Sequence, residues 1–202
     1  MSYRKFHIED LQTKLGVHQT TDELFKNIII NLVQPSNLLV DTLASKSQMM
    51  ITTEKAVCEH WVSPILSEIK LRNADTIELY SGEQLNVDTK KGLNGEIDFI
   101  FSKSPKSYSI QAPVFCITEA KIGRLDKALP QAIAQMCGAS LFNEQKGKML
   151  PFIYGAVTDG KTWQFILLQN QIAYVDTNTF YLADLPKLLG VLQYIVNLYA
   201  TE

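Results

Sequence analysis

The stretch 114-VFCITEAKIG-123 decides the reading of this chain. It opens as a run of strand formers and then sets Glu119 and Lys121 two positions apart. Strand residues alternate between faces, so Phe115, Ile117, Glu119 and Lys121 should point one way, and Val114, Cys116, Thr118 and Ala120 the other. Both sets begin apolar, as in an interior strand, and the charged pair falls at its C-terminal end.

The preceding strand pattern, 95-GEIDFIFS-102, raises the same question. Ile97, Phe99 and Phe101 share one face by alternation, while Asp98 shares the other with Glu96 and Ile100. A carboxylate beside such residues is costly to bury unless a cation or hydrogen bonds answer it. Further upstream, 52-TTEKAVCEHWVSPILSEIK-70 reads as a helix with Thr52 or Thr53 as N-cap, kinked or split at Pro64. Val57, Trp61, Ile65 and Ile69 form its apolar stripe. Steps of about 100° put Glu54 within that inward sector.

Four charged groups, Glu54, Asp98, Glu119 and Lys121, thus look out of place on inward surfaces. If they converge, three carboxylates and one ammonium leave negative charge unanswered. Two carboxylates about 4 Å apart repel by roughly 4 kcal/mol at an effective dielectric of about 20. A divalent cation would relieve this, and hard oxygen donors favour magnesium, with manganese as a substitute. The plainer alternative is that Glu119 and Lys121 cap a strand end at the surface while Asp98 pairs with a nearby lysine.

The remaining pattern fills out a layered α/β (α+β) domain. Residues 1 to 45 read as an N-terminal extension of short helices and loops, broken at Gly16 and at Gln34-Pro35-Ser36, ahead of a domain over 46–202. The segment 76-TIELYSGEQLNVD-88 reads as two short strand-like pieces around a Gly82 turn, and 102-SKSPKSYSIQAP-113 as a loop. A helix over 129-LPQAIAQMCGASLFNEQKG-147 carries Ile133, Met136, Cys137, Ser140 and Leu141 as its small or apolar stripe. Strands at 152–157 and 162–168 flank Asp159-Gly160, a dipeptide tight hairpins favour, and a strand near 171–176 precedes a closing helix over 184–200.

With 202 residues, 46% hydrophobic and 20% charged, the chain suits one globular domain. No run of about 18 apolar residues exists, and the start MSYRKFHIED has no signal-like apolar core, so a cytoplasmic protein without a membrane span is expected. Cys58, Cys116 and Cys137 read as reduced packing residues, and neither they nor His7, His18 and His60 show zinc spacing. The net charge is −2, yet from Lys90 to Lys161 ten basic residues face six acidic ones. A basic middle within an acidic whole fits a polyanion site.

Taken in order, Glu54, Asp98 and 119-EAK-121 resemble the PD-(D/E)xK, or restriction-endonuclease-like, nuclease superfamily. The closer likeness is to the nuclease domain that begins type I restriction motor subunits and to its small stand-alone relatives. Those show a helix glutamate ten residues before a proline, as Glu54 stands before 64-PIL-66. They also show an aspartate in an apolar strand, as in 97-IDFIF-101, then 117-ITEAK-121, then a hairpin like 157-VTDGKTWQF-165. The resemblance covers roughly residues 52 to 175. It implies a mixed central sheet flanked by helices in αβββαβ order.

It further implies magnesium held by Asp98 and Glu119, with the Ala120 carbonyl and Glu54 as further ligands or water contacts. Lys121 would orient the attacking water or steady charge on the phosphate. Gln131 matches a glutamine found in relatives of the RecB group, but Gln135 stands where those carry a tyrosine. By helical count both glutamines lie opposite the apolar stripe, facing either a cleft or solvent. The implied activity is phosphodiester hydrolysis of nucleic acid, DNA ahead of RNA. A homodimer or a partner protein stays open. The competing function is a catalytically silent nucleic-acid-binding or protein-interaction module on the same fold. A P-loop at 159-DGKTW-163 is set aside for want of its first glycine.

Overall fold

The structure is a computed structural model and describes residues 2–104 and 106–200, so Pro105 and the last two residues of the expected domain lie outside it. Eight strands form one mixed sheet in the order β1-β7-β6-β5-β4-β3-β2, with β8 paired to β6. The strands are β1 (His18–Asp22), β2 (Glu78–Gln84), β3 (Glu96–Ser102), β4 (Val114–Ala120), β5 (Ile153–Thr158), β6 (Thr162–Gln169), β7 (Ile172–Asp176) and β8 (Phe180–Tyr181). β1–β7 and β4–β5 are parallel, and the other pairs are antiparallel. The parallel β4–β5 pair needs a crossover, which is α5 (Leu129–Gln145). The remaining helices are α1 (Ile8–Leu15), α2 (Asn37–Lys46), α3 (Glu54–Val57), α4 (Ser63–Arg72) and α6 (Leu185–Ala200). Among the described residues no helix is long and apolar enough to cross a membrane.

The mixed α/β architecture is as expected, with four local differences. First, the N-terminal segment is not only helices and loops: His18–Asp22 is a strand that extends the sheet along β7. Gly16, at a φ of 70°, ends α1 and turns the chain into that strand. Second, Gly82 does not break the sequence into two pieces. Its φ of 68° costs a glycine little, and β2 runs through it in one register along β3.

Third, Thr53 caps α3, its side chain accepting from Ala56 N–H at 3.1 Å, and the helix then widens into a π turn at Cys58–Val62 before Pro64. The proline is therefore absorbed at the start of α4 without splitting the helical path. Fourth, a β-bulge shifts the register between Phe101↔Cys116 and Ser102↔Val114, leaving Phe115 as the extra residue on β4. That flips the phase: Phe115 joins the same apolar cluster as Cys116 and Ala120, whereas Ile117 lies in the other. On β3, Ile97 likewise packs with Ile100 and not with Phe99 and Phe101.

Each sheet face has its own core. The π turn, α4 and α6 cover one with Trp61, Ile65, Phe99, Phe115, Trp163 and Tyr199. α5, α1 and the 3-10 turn Tyr3–Lys5 cover the other with Tyr3, Leu11, Ile100, Ile117, Ala132 and Met136. The hairpin turn between β5 and β6 is anchored by Asp159 Oδ1, which accepts from Lys161 N–H at 2.9 Å and Thr162 N–H at 2.7 Å.

Candidate active site

The bulge at Phe115 sets the phase of the residues beyond it on β4. Glu119 lies against α5, buried to 4% exposure. Both of its oxygens are held: Gln131 Nε2 donates to Oε1 at 2.6 Å, and Gln135 Nε2 donates to Oε2 at 2.7 Å. On the adjacent strand, half-buried Asp98 accepts the Ala120 N–H on Oδ2 at 2.8 Å. The β3–β4 ladder reaches Phe99↔Thr118, so Asp98 answers the next free N–H with its side chain. Just past the strand, Lys121 N–H donates to the Thr158 carbonyl at 2.8 Å, extending the pairing with β5. Its Nζ meets Glu54 Oε1 at 2.8 Å.

Contacts thus tie Asp98 to the Ala120 N–H and Glu54 to Lys121 at the C-terminal end of β4, and the Asp98 charge acts on Glu119. Burial, then the neighbouring Asp98 charge, pushes the Glu119 carboxyl up to about 8, against the pull of Gln135, Lys121 and Arg4. Burial also raises Asp98, opposed by the Ala120 N–H and Arg4 and reinforced by Glu54 and Glu96. Cys58, in the π turn, is pushed up to about 12 by burial and then by Asp98, Glu119 and Glu54 together. One thiol thus feels all three carboxylates.

Two placements differ from expectation. Glu54 is 47% exposed at its side chain and is not on the buried stripe. The π turn adds residues per turn, so counting at α-helical steps from 54 to 65 loses phase. Of the two glutamines, Gln131, 7% exposed, lines a cleft as one of the alternatives had it, whereas Gln135, at 0% exposure, is fully buried. α5 packs on β4 on one side and on α1 and the N-terminal 3-10 turn on another, so little of its first three turns is left to water. The expected stripe holds in part: Ile133 and Met136 are fully buried and Cys137 and Leu141 pack against the same core, whereas Ser140 is exposed. A second buried stripe runs through Gln131, Gln135, Ala139 and Asn143, spaced four residues apart. Asn143 closes it by exchanging two hydrogen bonds of 2.7 Å with the backbone of Val114.

Two residues at the site, Gln135 and Arg4, were not expected there from the sequence. Gln135 was signalled by its i, i+4 relation to Gln131, whereas Arg4 had no local signal at all. Among the described residues Gln135 Oε1 is buried with no hydrogen-bond partner. Beside the site lies a cleft of about 680 Å³, lined by Arg4, His7, Lys121, Lys127 and Gln131 among others.

Among the described residues no group of three or more His, Cys, Asp or Glu is gathered closely enough to hold a metal. A magnesium ion needs fewer, because it keeps several waters and takes only one or two carboxylates plus substrate phosphate. Asp98 and Glu119 offer carboxylate oxygens of that kind, and Gln135, which donates to Glu119, keeps a buried Oε1 without a partner among the described residues. No family model matches this chain, and no curated protein matches it.

Proposed function

We propose that this protein is a magnesium-dependent nuclease of the restriction-endonuclease-like kind, hydrolysing phosphodiester bonds in nucleic acid, DNA ahead of RNA. The observation that carries this is a pair of contacts at the end of β4, Asp98 on the Ala120 N–H and Glu54 on Lys121 Nζ, beside the buried Glu119. The helix–β2–β3–β4–α5–β5 succession supports the αβββαβ core implied by the resemblance.

In this reading Asp98 and Glu119 would hold magnesium, with the Ala120 carbonyl beside them and Glu54 reaching in from α3. When bound, the ion supplies charge neutralisation and Lewis-acid polarisation of the phosphodiester. Gln131 and Gln135 fix the Glu119 carboxylate in orientation, as outer partners of a ligand do. Each Glu119 oxygen keeps a second lone pair after accepting one amide. Lys121 is poised by a partly exposed ion pair with Glu54, worth no more than about 1 kcal/mol. Its ammonium can therefore leave that partner cheaply for a phosphate oxygen or the attacking water.

A silent binding module on the same fold is the second reading. It is favoured by the absence, among the described residues, of three gathered ligands. Cleavage of single- and double-stranded DNA with magnesium or manganese decides between them. Asp98→Asn and Lys121→Ala should each lower the rate by more than about a hundredfold, beyond the usual cost of losing an outer partner. Wild-type rates in both variants rule out the site. Calorimetric titration showing no uptake of manganese leaves the module reading.

A further inference from the structure

The N-terminal segment lies outside the stretch that carries the resemblance, yet it borders the same cleft. Tyr3 and Phe6 are buried on either side of Arg4 and Lys5, which are exposed. Three contacts fix this turn. Tyr3 N–H donates to the Asn94 carbonyl at 3.1 Å, and Tyr3 Oη–H donates to the Leu85 carbonyl at 3.0 Å. The phenol also occupies the space over Gly138 of α5, where any Cβ would collide with it. Arg4 is thus held at a set place by two buried aromatic neighbours.

From there Arg4 lines the cleft together with Lys121 and Gln131. Its charge acts on both Asp98 and Glu119, lowering each. Among the described residues it closes no ion pair. A guanidinium that lines the cleft beside Lys121 and closes no ion pair among the described residues keeps its donors for an arriving anion. Its planar fork matches two non-bridging phosphate oxygens, a geometry an ammonium lacks.

We propose that Arg4 is a substrate-binding residue of this site, gripping the phosphate that Lys121 faces, so that the N-terminal segment is part of the working centre. The anion's identity as a nucleic-acid phosphate rests on the nuclease reading above. A phosphate approaching two carboxylates meets repulsion, and Arg4 and Lys121, both in the lining of the cleft, supply opposing charge.

The test uses the full chain and fluorescently labelled single- and double-stranded DNA, with calcium in place of magnesium, over a series of salt concentrations. Removing one phosphate contact in Arg4→Ala should make the slope of log affinity against log salt shallower by about 0.7 for single strands and about 0.9 for duplex. Arg4→Lys should keep the slope, since it keeps the charge. With magnesium, cleavage by Arg4→Ala should fall about 10- to 100-fold and by Arg4→Lys by less, with thermal unfolding unchanged in both. Wild-type slope and rate in Arg4→Ala overturn the proposal while leaving the nuclease reading intact. A changed slope in a protein that cleaves nothing upholds Arg4 as a phosphate contact and removes the nuclease reading. No DNA binding by the wild type at low salt overturns the proposal.

Discussion

The two faces of the sheet are packed with different material. Under α4, the π turn and α6 the core is aromatic: Phe115 stacks on Phe101 at 6.0 Å and on Tyr199 at 4.8 Å, and Phe25, Phe165 and Phe180 form an edge-on group. Under α5 the contacts are small: Ala132, Ala134, Gly138 and Ala139 are all buried, and Met136 fills the space over Gly155. Small residues let a helix approach a strand closely enough for short polar side chains to reach it. Gln131, Gln135 and Asn143 use that closeness to bond β4 at both ends. The aromatic face contributes cohesion, and the small-residue face contributes a place where a carboxylate can be buried and still be held.

If this division is right, the largest effect on stability belongs to the aromatic face. Phe115→Ala should cost about 3–5 kcal/mol in denaturant unfolding, because the bulged residue packs fully between Phe101 and Tyr199. A cost under about 1 kcal/mol would mean the bulge relaxes into the cavity, and the contrast between the faces would break.

The same contrast explains what could be read from the sequence. Strand β4 and the charged groups at its end were legible because an apolar run carrying Glu119 and Lys121 is conspicuous, and Asp98 likewise. Glu119 does share a face with Ile117, as alternation requires. Phe115 does not, since a bulge inserts a residue without leaving a local sign in the pattern. On α5 a hydrophobicity stripe sends glutamines outward by construction, yet here Gln131, Gln135 and Asn143 are buried as well as that stripe and are answered by β4. The hydrophobic reading of α3 lost phase through the π turn, and Arg4 reaches the site only through tertiary packing of Tyr3.

Gln135→Leu sharpens the comparison from the other side. It removes one hydrogen bond to Glu119, but also removes a buried acceptor that has no partner among the described residues. The two offset, so unfolding should shift by less than about 1.5 kcal/mol, the tolerance of near-isosteric core changes. Cleavage should nevertheless fall about 10- to 100-fold, because the ligand's orientation is lost. A variant as active as the wild type would make Gln135 a packing residue only. Stability loss beyond that of Phe115→Ala would show that the small-residue face, not the aromatic one, holds the fold.

The last expected effect concerns protons, and its sign comes from the raised carboxyls. Glu119 moves from an ordinary value of 4.5 to about 8 on folding, and Asp98 moves in the same direction. Between those limits the folded protein holds a proton that the unfolded chain releases, so stability falls as pH rises through the window. The metal-free protein should therefore melt at progressively lower temperature from about pH 5 to about pH 8. The loss should reach at least about 1 kcal/mol, since a single carboxyl whose pKa rises by about 1 on folding already accounts for about 1.4 kcal/mol. Glu119→Gln cannot ionise, and its new amide can answer Gln135 Oε1, so that variant should melt higher at the alkaline end with a flatter profile. Adding magnesium to the wild type should restore the alkaline loss, whereas Glu119→Gln should gain little, since a cation that binds only the folded state stabilises it by mass action. A melting temperature independent of pH across the window, in wild type and variant alike, would mean that the glutamine cradle already meets the full cost of a buried charge at Glu119, and that the site has no electrostatic need of a cation.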